Sequence, residues 1–210
     1  AGNVVTPNGF AVSTAANDQS SLAIAWNGGT YLVAWSDYRN SVREIYGAFV
    51  TSTGAVLPNS TTGLAISAGG THARLAPSVA AYGTHPAGAP FLVTWSDGRN
   101  SSVDIYGARV SDGGAVLDVS NLWLSDAGDY QENPVVAANS TSALVAWVDQ
   151  RAGAGARDIW AETVGANGVI TTPAAIKSFF ANDEWEPAVA SSGSMYFAVW
   201  VDCRQPRCGG

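Results

Sequence analysis

Four loops of this chain carry the side chains best suited to chemistry. They contain Asn17-Asp18-Gln19, Thr71-His72-Ala73-Arg74, Asp129-Tyr130-Gln131-Glu132 and Asp183-Glu184-Trp185-Glu186. Tyr130 beside Asp129, and Trp185 between Glu184 and Glu186, each join an aromatic face to carboxylates. That combination suits a sugar, whose C–H surface stacks on the ring while the acids accept its hydroxyl protons. The expected ligand-binding set is Arg74, Tyr130, Glu184, Trp185 and Glu186. The alternative for the aromatics is ordinary packing within their loops. Gln19 and Gln131 hold equivalent positions, as expected of side chains that bond to backbone. Arg74 and Glu184 replace them in the other two loops and mark a local specialisation. Asp183 with Glu186 is a carboxylate pair of the kind used in acid/base chemistry. Any acidic loop offers that much, so no residue is assigned a catalytic role.

Metal and cofactor chemistry find no support in the sequence. His72 and His85 are expected on opposite faces, and no His/Cys group has zinc spacing. There is no nucleophile elbow, phosphate loop or calcium loop. No cofactor is therefore expected.

The loops are held by a repeat. Tyr31-Leu-Val-Ala-Trp35-Ser-Asp37-Tyr-Arg39 returns as Phe91-Leu-Val-Thr-Trp95-Ser-Asp97-Gly-Arg99. It returns again as Ala143-Leu-Val-Ala-Trp147-Val-Asp149-Gln-Arg151 and Tyr196-Phe-Ala-Val-Trp200-Val-Asp202-Cys-Arg204. A second phrase follows three of them: Glu44-Ile-Tyr46, Asp104-Ile-Tyr106 and Asp158-Ile-Trp160. Glycine turns come next, at Gly54, Gly114 and Gly168, where a tight turn needs positive φ. Each unit resolves into four short segments rich in β-branched, aromatic and small apolar residues, bounded by Gly, Asn, Asp or Pro. No window shows a convincing helical period. The four in-phase tryptophans are expected between units. The Asp-x-Arg after each is expected to form a charge-assisted network that fixes the turn.

Four strands in a unit of about 50 residues is the arithmetic of a β-propeller blade. The W-x-D-x-R, D-I-Y and glycine-turn phrases resemble the TolB-like propeller repeats of secreted bacterial and archaeal surface proteins. The expected fold is all-β, a propeller of four-stranded blades. It has an outer strand at 9–14, blades at about 22–67, 77–125 and 134–180, and a partial blade at about 187–210. The phase of the repeat leaves that last blade short of a third strand. A strand-completing second chain, or self-association, is expected to supply it.

Composition narrows the partners. The net charge is −7 and Lys177 is the sole lysine, so nucleic acid and anionic lipid surfaces are poor matches. No apolar run approaches a membrane span. Cys203 and Cys208 lie close enough for a small disulfide-closed loop, which would place the chain in an oxidising, extracellular compartment. The expected function is a secreted binding module for a glycan or cell-surface ligand. The alternatives are an extracellular polysaccharide- or ester-degrading enzyme and a structural repeat scaffold.

Overall fold

The computed structural model describes residues 6–58, 62–67, 69–83, 89–153, 156–177 and 183–203. Their regular structure is antiparallel β, with no α-helix among the described residues. Sheet I runs β1 (Gln19–Trp26), β2 (Thr30–Asp37), β3 (Glu44–Thr51) and β4 (Leu64–Ala65). Sheet II repeats this as β5 (Arg74–Ala81), β6 (Phe91–Asn100), β7 (Ser102–Val110) and β8 (Leu122–Ser125). Sheet III comprises β9 (Gln131–Ala138), β10 (Ser142–Asp149), β11 (Asp158–Gly165) and β12 (Ala174–Lys177). Sheet IV shows β13 (Glu184–Ser191) and β14 (Tyr196–Asp202). In each sheet the strands lie side by side in chain order.

The register is the same in the first three sheets. Trp35 faces Tyr46, Trp95 faces Tyr106, and Trp147 faces Trp160. The glycine turns behave as their residue type requires: Gly54, Gly114 and Gly168 have φ of 86°, 84° and 87°. A bridge closes over each of them, Val50 to Val56, Val110 to Val116 and Val164 to Ile170.

Strand alternation gives every sheet two apolar faces, and these faces stack in series. Leu32, Ala34, Ile45 and Phe49 of sheet I pack on Val79, Val93, Trp95 and Ala108 of sheet II. The other face of sheet II, with Leu92 and Ile105, meets Val145, Trp147 and Val164 of sheet III. Ala146, Val148 and Ile159 then meet Trp185, Val189 and Trp200 of sheet IV. The first strands run inward in sequence, β1 on β5, β5 on β9, β9 on β13. Among the described residues sheet IV has no comparable packing on sheet I.

Two boundaries differ from the sequence expectation. Residues 9–14 form no strand. Instead Val12 lies against the Trp35 face of sheet I, beside Val33, Tyr46 and Val50. The first strands also start three residues early, at Gln19, Arg74, Gln131 and Glu184. Each contains a bulge whose extra residue is left-handed: Ser21 (φ 53°), Ala76 (φ 51°), Asn133 (φ 55°) and Glu186 (φ 50°). In three of the four a proline follows, which edge strands tolerate at a bulge.

Candidate functional site

Each Trp-x-Asp-x-Arg unit closes on itself. Asp37, Asp97 and Asp149 are fully buried. They accept hydrogen bonds from Trp35, Trp95 and Trp147 Nε1 at 2.8, 2.9 and 2.9 Å. The backbone amide of the following arginine caps the second oxygen at 2.9 Å from Arg39, 3.0 Å from Arg99 and 2.9 Å from Arg151. The arginine then returns its guanidinium to the same carboxylate and lies over the facing aromatic. Arg39 sits 3.9 Å from the Tyr46 centroid, Arg99 4.0 Å from Tyr106, and Arg151 3.5 Å from Trp160. Burial opposes ionisation of Asp37 and Asp97, but bonds from arginine and tryptophan outweigh it and hold both carboxyls below their ordinary value. With both oxygens taken, these aspartates are turn supports in sheets I to III. Arg204, the fourth arginine, lies outside the described residues.

The five expected ligand residues do not come together. Arg74 is corrected to an interior side chain, 1% exposed. Its Nε donates to Asp97 Oδ2 at 3.1 Å and its Nη2 to the Gly69 carbonyl at 2.7 Å. Glu44 stands 3.9 Å away. Gln131 does the corresponding work in sheet III, donating to the Gly128 and Asp129 carbonyls at 3.1 and 2.9 Å. Gln19 binds the Ala16 and Asn17 carbonyls in the same way. The specialisation at Arg74 is thus an internal ion pair. Glu184 is likewise corrected: it is buried at the same repeat position, and its amide donates to the Arg157 carbonyl at 2.9 Å. Tyr130 is half exposed on the rim, its carbonyl accepting from Gln150.

Trp185 and Glu186 do share a site. They line a cleft of about 340 Å³ between sheets III and IV, together with Glu132, Asn133, Val135, Val148, Arg157 and Pro187. The Arg157 guanidinium lies 5.9 Å from the Trp185 ring centroid and 3.3 Å from Asp183 Oδ2. Gln150 Nε2 reaches Glu132 Oε1 at 3.5 Å. The site therefore offers one aromatic face, one cation and two carboxylates, and Asn133 and Glu186 at its mouth are exposed.

A single change in the repeat accounts for the place of the cleft. Ser36 Oγ bonds the Arg74 carbonyl at 2.8 Å, and Ser96 Oγ accepts from the Asn133 amide at 3.1 Å. These bonds draw the next sheet's bulge against the second strand. Val148 holds that position in sheet III and can make no such bond, and it lines the cleft instead. Sequence reasoning placed Glu132 in a candidate loop but outside the ligand set, and missed Asn133 and Arg157. The sequence signal that could have found this seam is Val148 standing where Ser36 and Ser96 stand in the repeat.

Among the described residues no group of His, Cys, Asp and Glu could hold a metal ion. Cys203 is buried; Cys208 lies outside the described residues, as does His85.

No family model matches this chain, and neither does any curated protein. Among solved structures, the catalytic domain of an α-L-arabinofuranosidase of family GH62 from Coprinopsis cinerea aligns at 10% identity with a TM-score of 0.43. The alignment covers 86% of this chain and 62% of the other, so this chain spans less than two thirds of that domain's length.

Proposed function

We propose that the four sheets are consecutive blades of a TolB-like β-propeller, and that the protein is a secreted module binding carbohydrate in the cleft between sheets III and IV. The observation that carries this reading is the meeting of Trp185, Arg157, Glu132 and Glu186 around one solvent-open cavity. A sugar ring stacked on Trp185 places its hydroxyls within reach of a cation and two acceptors. That is the donor and acceptor mix a polyhydroxylated ligand requires.

A glycan array with the purified protein tests the reading. Binding should fall about 2- to 13-fold on Trp185→Ala, the scale of one aromatic contact. Trp185 also packs beside Val189 and Trp200, so this variant should melt lower too. Glu186→Gln separates the effects, because an exposed side chain can lose its charge without disturbing the core. It should weaken binding with an unchanged melting temperature. A wild type that binds nothing on a broad array would leave the scaffold reading in place. Two carboxylates in one cleft keep the hydrolase reading second. Turnover of a polysaccharide or ester that vanishes in Glu132→Gln or Glu186→Gln would promote it.

The extracellular assignment has its own check. The proposed Cys203–Cys208 disulfide predicts no titratable thiol in denatured, unreduced protein. Two thiols would remove the main support for secretion.

A further inference from the structure

We infer that the edge of β14 away from β13, over residues 196–201, is an acceptor for one added β-strand of the (Asp/Glu)-Ile-(Tyr/Trp) type. The inference rests on the repeat and not on the glycan reading. In sheets I to III a strand of this type pairs with the tryptophan strand in one register. Ser36 faces Ile45, Ala34 faces Gly47 and Leu32 faces Phe49, with the same offsets in the other two sheets. β14 is the tryptophan strand of sheet IV, and among the described residues its ladder is to β13 alone.

The side chains of β14 show what is uncovered. Trp35, Trp95 and Trp147 are at most 1% exposed, whereas Trp200 at the same position is only half-buried. Phe197, Val199 and Val201 correspond to Leu32, Ala34 and Ser36, all fully buried in sheet I. In sheet IV they are 71%, 48% and 41% exposed. An exposed apolar strand with an open backbone edge is a template for strand addition. The shared register specifies the occupant. Its isoleucine falls beside Val201, its tyrosine or tryptophan beside Trp200, and its small residue beside Val199. A bulky residue at the small position is excluded by the crowding seen at Gly47, where an added Cβ would lie 2.8 Å from Ile66 Cδ1.

A fourth-strand segment is unpaired as well. Val12 stands to Trp35 as Ile66 stands to Trp95 and Leu124 to Trp147. Yet residues 9–13 join no ladder. Among the described residues no third strand lies beside β14, and none lies before the segment of the fourth-strand kind.

The probe is a capped synthetic peptide with the sequence of Ser102–Val110, titrated into the intact protein. We expect saturable one-to-one binding, slowed amide exchange in Tyr196–Asp202, and a raised melting temperature. A scrambled peptide should bind at least about tenfold more weakly, a difference of about 1.4 kcal/mol. A peptide N-methylated at alternate residues should lose binding, because its ladder bonds are gone. Val201→Asp, placed on an already exposed side chain, should weaken binding while leaving the fold intact. Equal binding of native and scrambled peptides would show mere apolar adhesion and overturn the inference. Protection appearing in Phe91–Asn100 would mean exchange with the protein's own β7 and would overturn it too. No binding at about millimolar peptide would do the same.

Discussion

Asp97→Ala should lower stability by about 3–5 kcal/mol, the usual result of removing one partner from a buried ion pair. For a chain of this size that is roughly 6–20 °C in melting temperature. Among the described residues Asp97 pairs with two arginines, whereas Asp37 and Asp149 each pair with one. Asp97 accepts from Trp95 Nε1 at 2.9 Å, from the Arg99 amide at 3.0 Å and from Arg74 Nε at 3.1 Å. It also pairs with the Arg99 guanidinium. Alanine leaves the Arg74 charge inside the fold, 1% exposed and facing Glu44 at 3.9 Å. It also leaves an indole N–H without an acceptor. Asp97→Asn keeps an acceptor and should lose less. Because the folded carboxyl sits below its ordinary value, its contribution is present above pH about 4 and fades as pH falls. Asp18→Ala is the control: its bridge to Arg43 is 3.9 Å long with Asp18 79% exposed, so the change should stay within about 0.5 kcal/mol. Thermal melts at pH 7 decide the matter. Equal shifts for the two variants would mean that the buried network does not hold the turn.

The contrast between Asp97 and Arg74 shows where sequence reasoning carries and where it stops. A phrase that recurs in phase announces a structural role, and the Trp-x-Asp-x-Arg network has the geometry that repetition implied. The positive φ at Gly54, Gly114 and Gly168 was legible for the same reason. Arg74 was not. A lone arginine in a loop suggests exposure, because burying a charge is costly. Its cost is met by Asp97 and the Gly69 carbonyl, which no local pattern reveals. The early start of the first strands was hidden by Pro77, Pro134 and Pro187, which punctuate as boundaries but sit within edge-strand bulges. Trp185 and Glu186, singled out because aromatic and acid adjoin in sequence, line one cleft. Arg157 and Glu132 join them only when sheet III packs on sheet IV, and that juxtaposition is tertiary.

Glu162 should make the protein less stable as pH rises, and Glu162→Ala should abolish that loss. On β11 it occupies the position of Ala48 and Ala108, both fully buried, and is itself 3% exposed. It alternates with Trp160 and Val164, so it faces sheet II, where Thr94 replaces Ala34 at the matching place. Both Glu162 oxygens and Thr94 Oγ1 lack hydrogen-bond partners among the described residues. Arg109 of the facing sheet is committed to Asp118 at 2.7 Å and to the Ala166 carbonyl at 2.9 Å. Tyr82, also facing sheet III, donates its hydroxyl to the Val164 carbonyl. Burial therefore acts on Glu162 unopposed and pushes its carboxyl up to about 8. The sign follows from proton counting. Between pH about 4.5 and about 8 the unfolded chain has released this proton and the folded chain has kept it, so stability falls with pH. Each unit costs about 1.4 kcal/mol, which gives an upper bound of about 5 kcal/mol by pH 8. Glu162→Gln removes the titration while keeping the volume, and Glu162→Ala restores the residue of the other sheets. At pH 5 the carboxyl is neutral, so both variants should lie near the wild type, alanine slightly lower for the cavity it leaves. At pH 9 both should be more stable, by roughly 2–4 kcal/mol once partial hydration of the opened site is allowed for. Denaturant titrations at pH 5, 7 and 9 measure this directly. Parallel pH profiles for wild type and Glu162→Gln would mean that Glu162 is ionised and partnered in the fold, and the seam between sheets II and III would then carry no proton-linked stability.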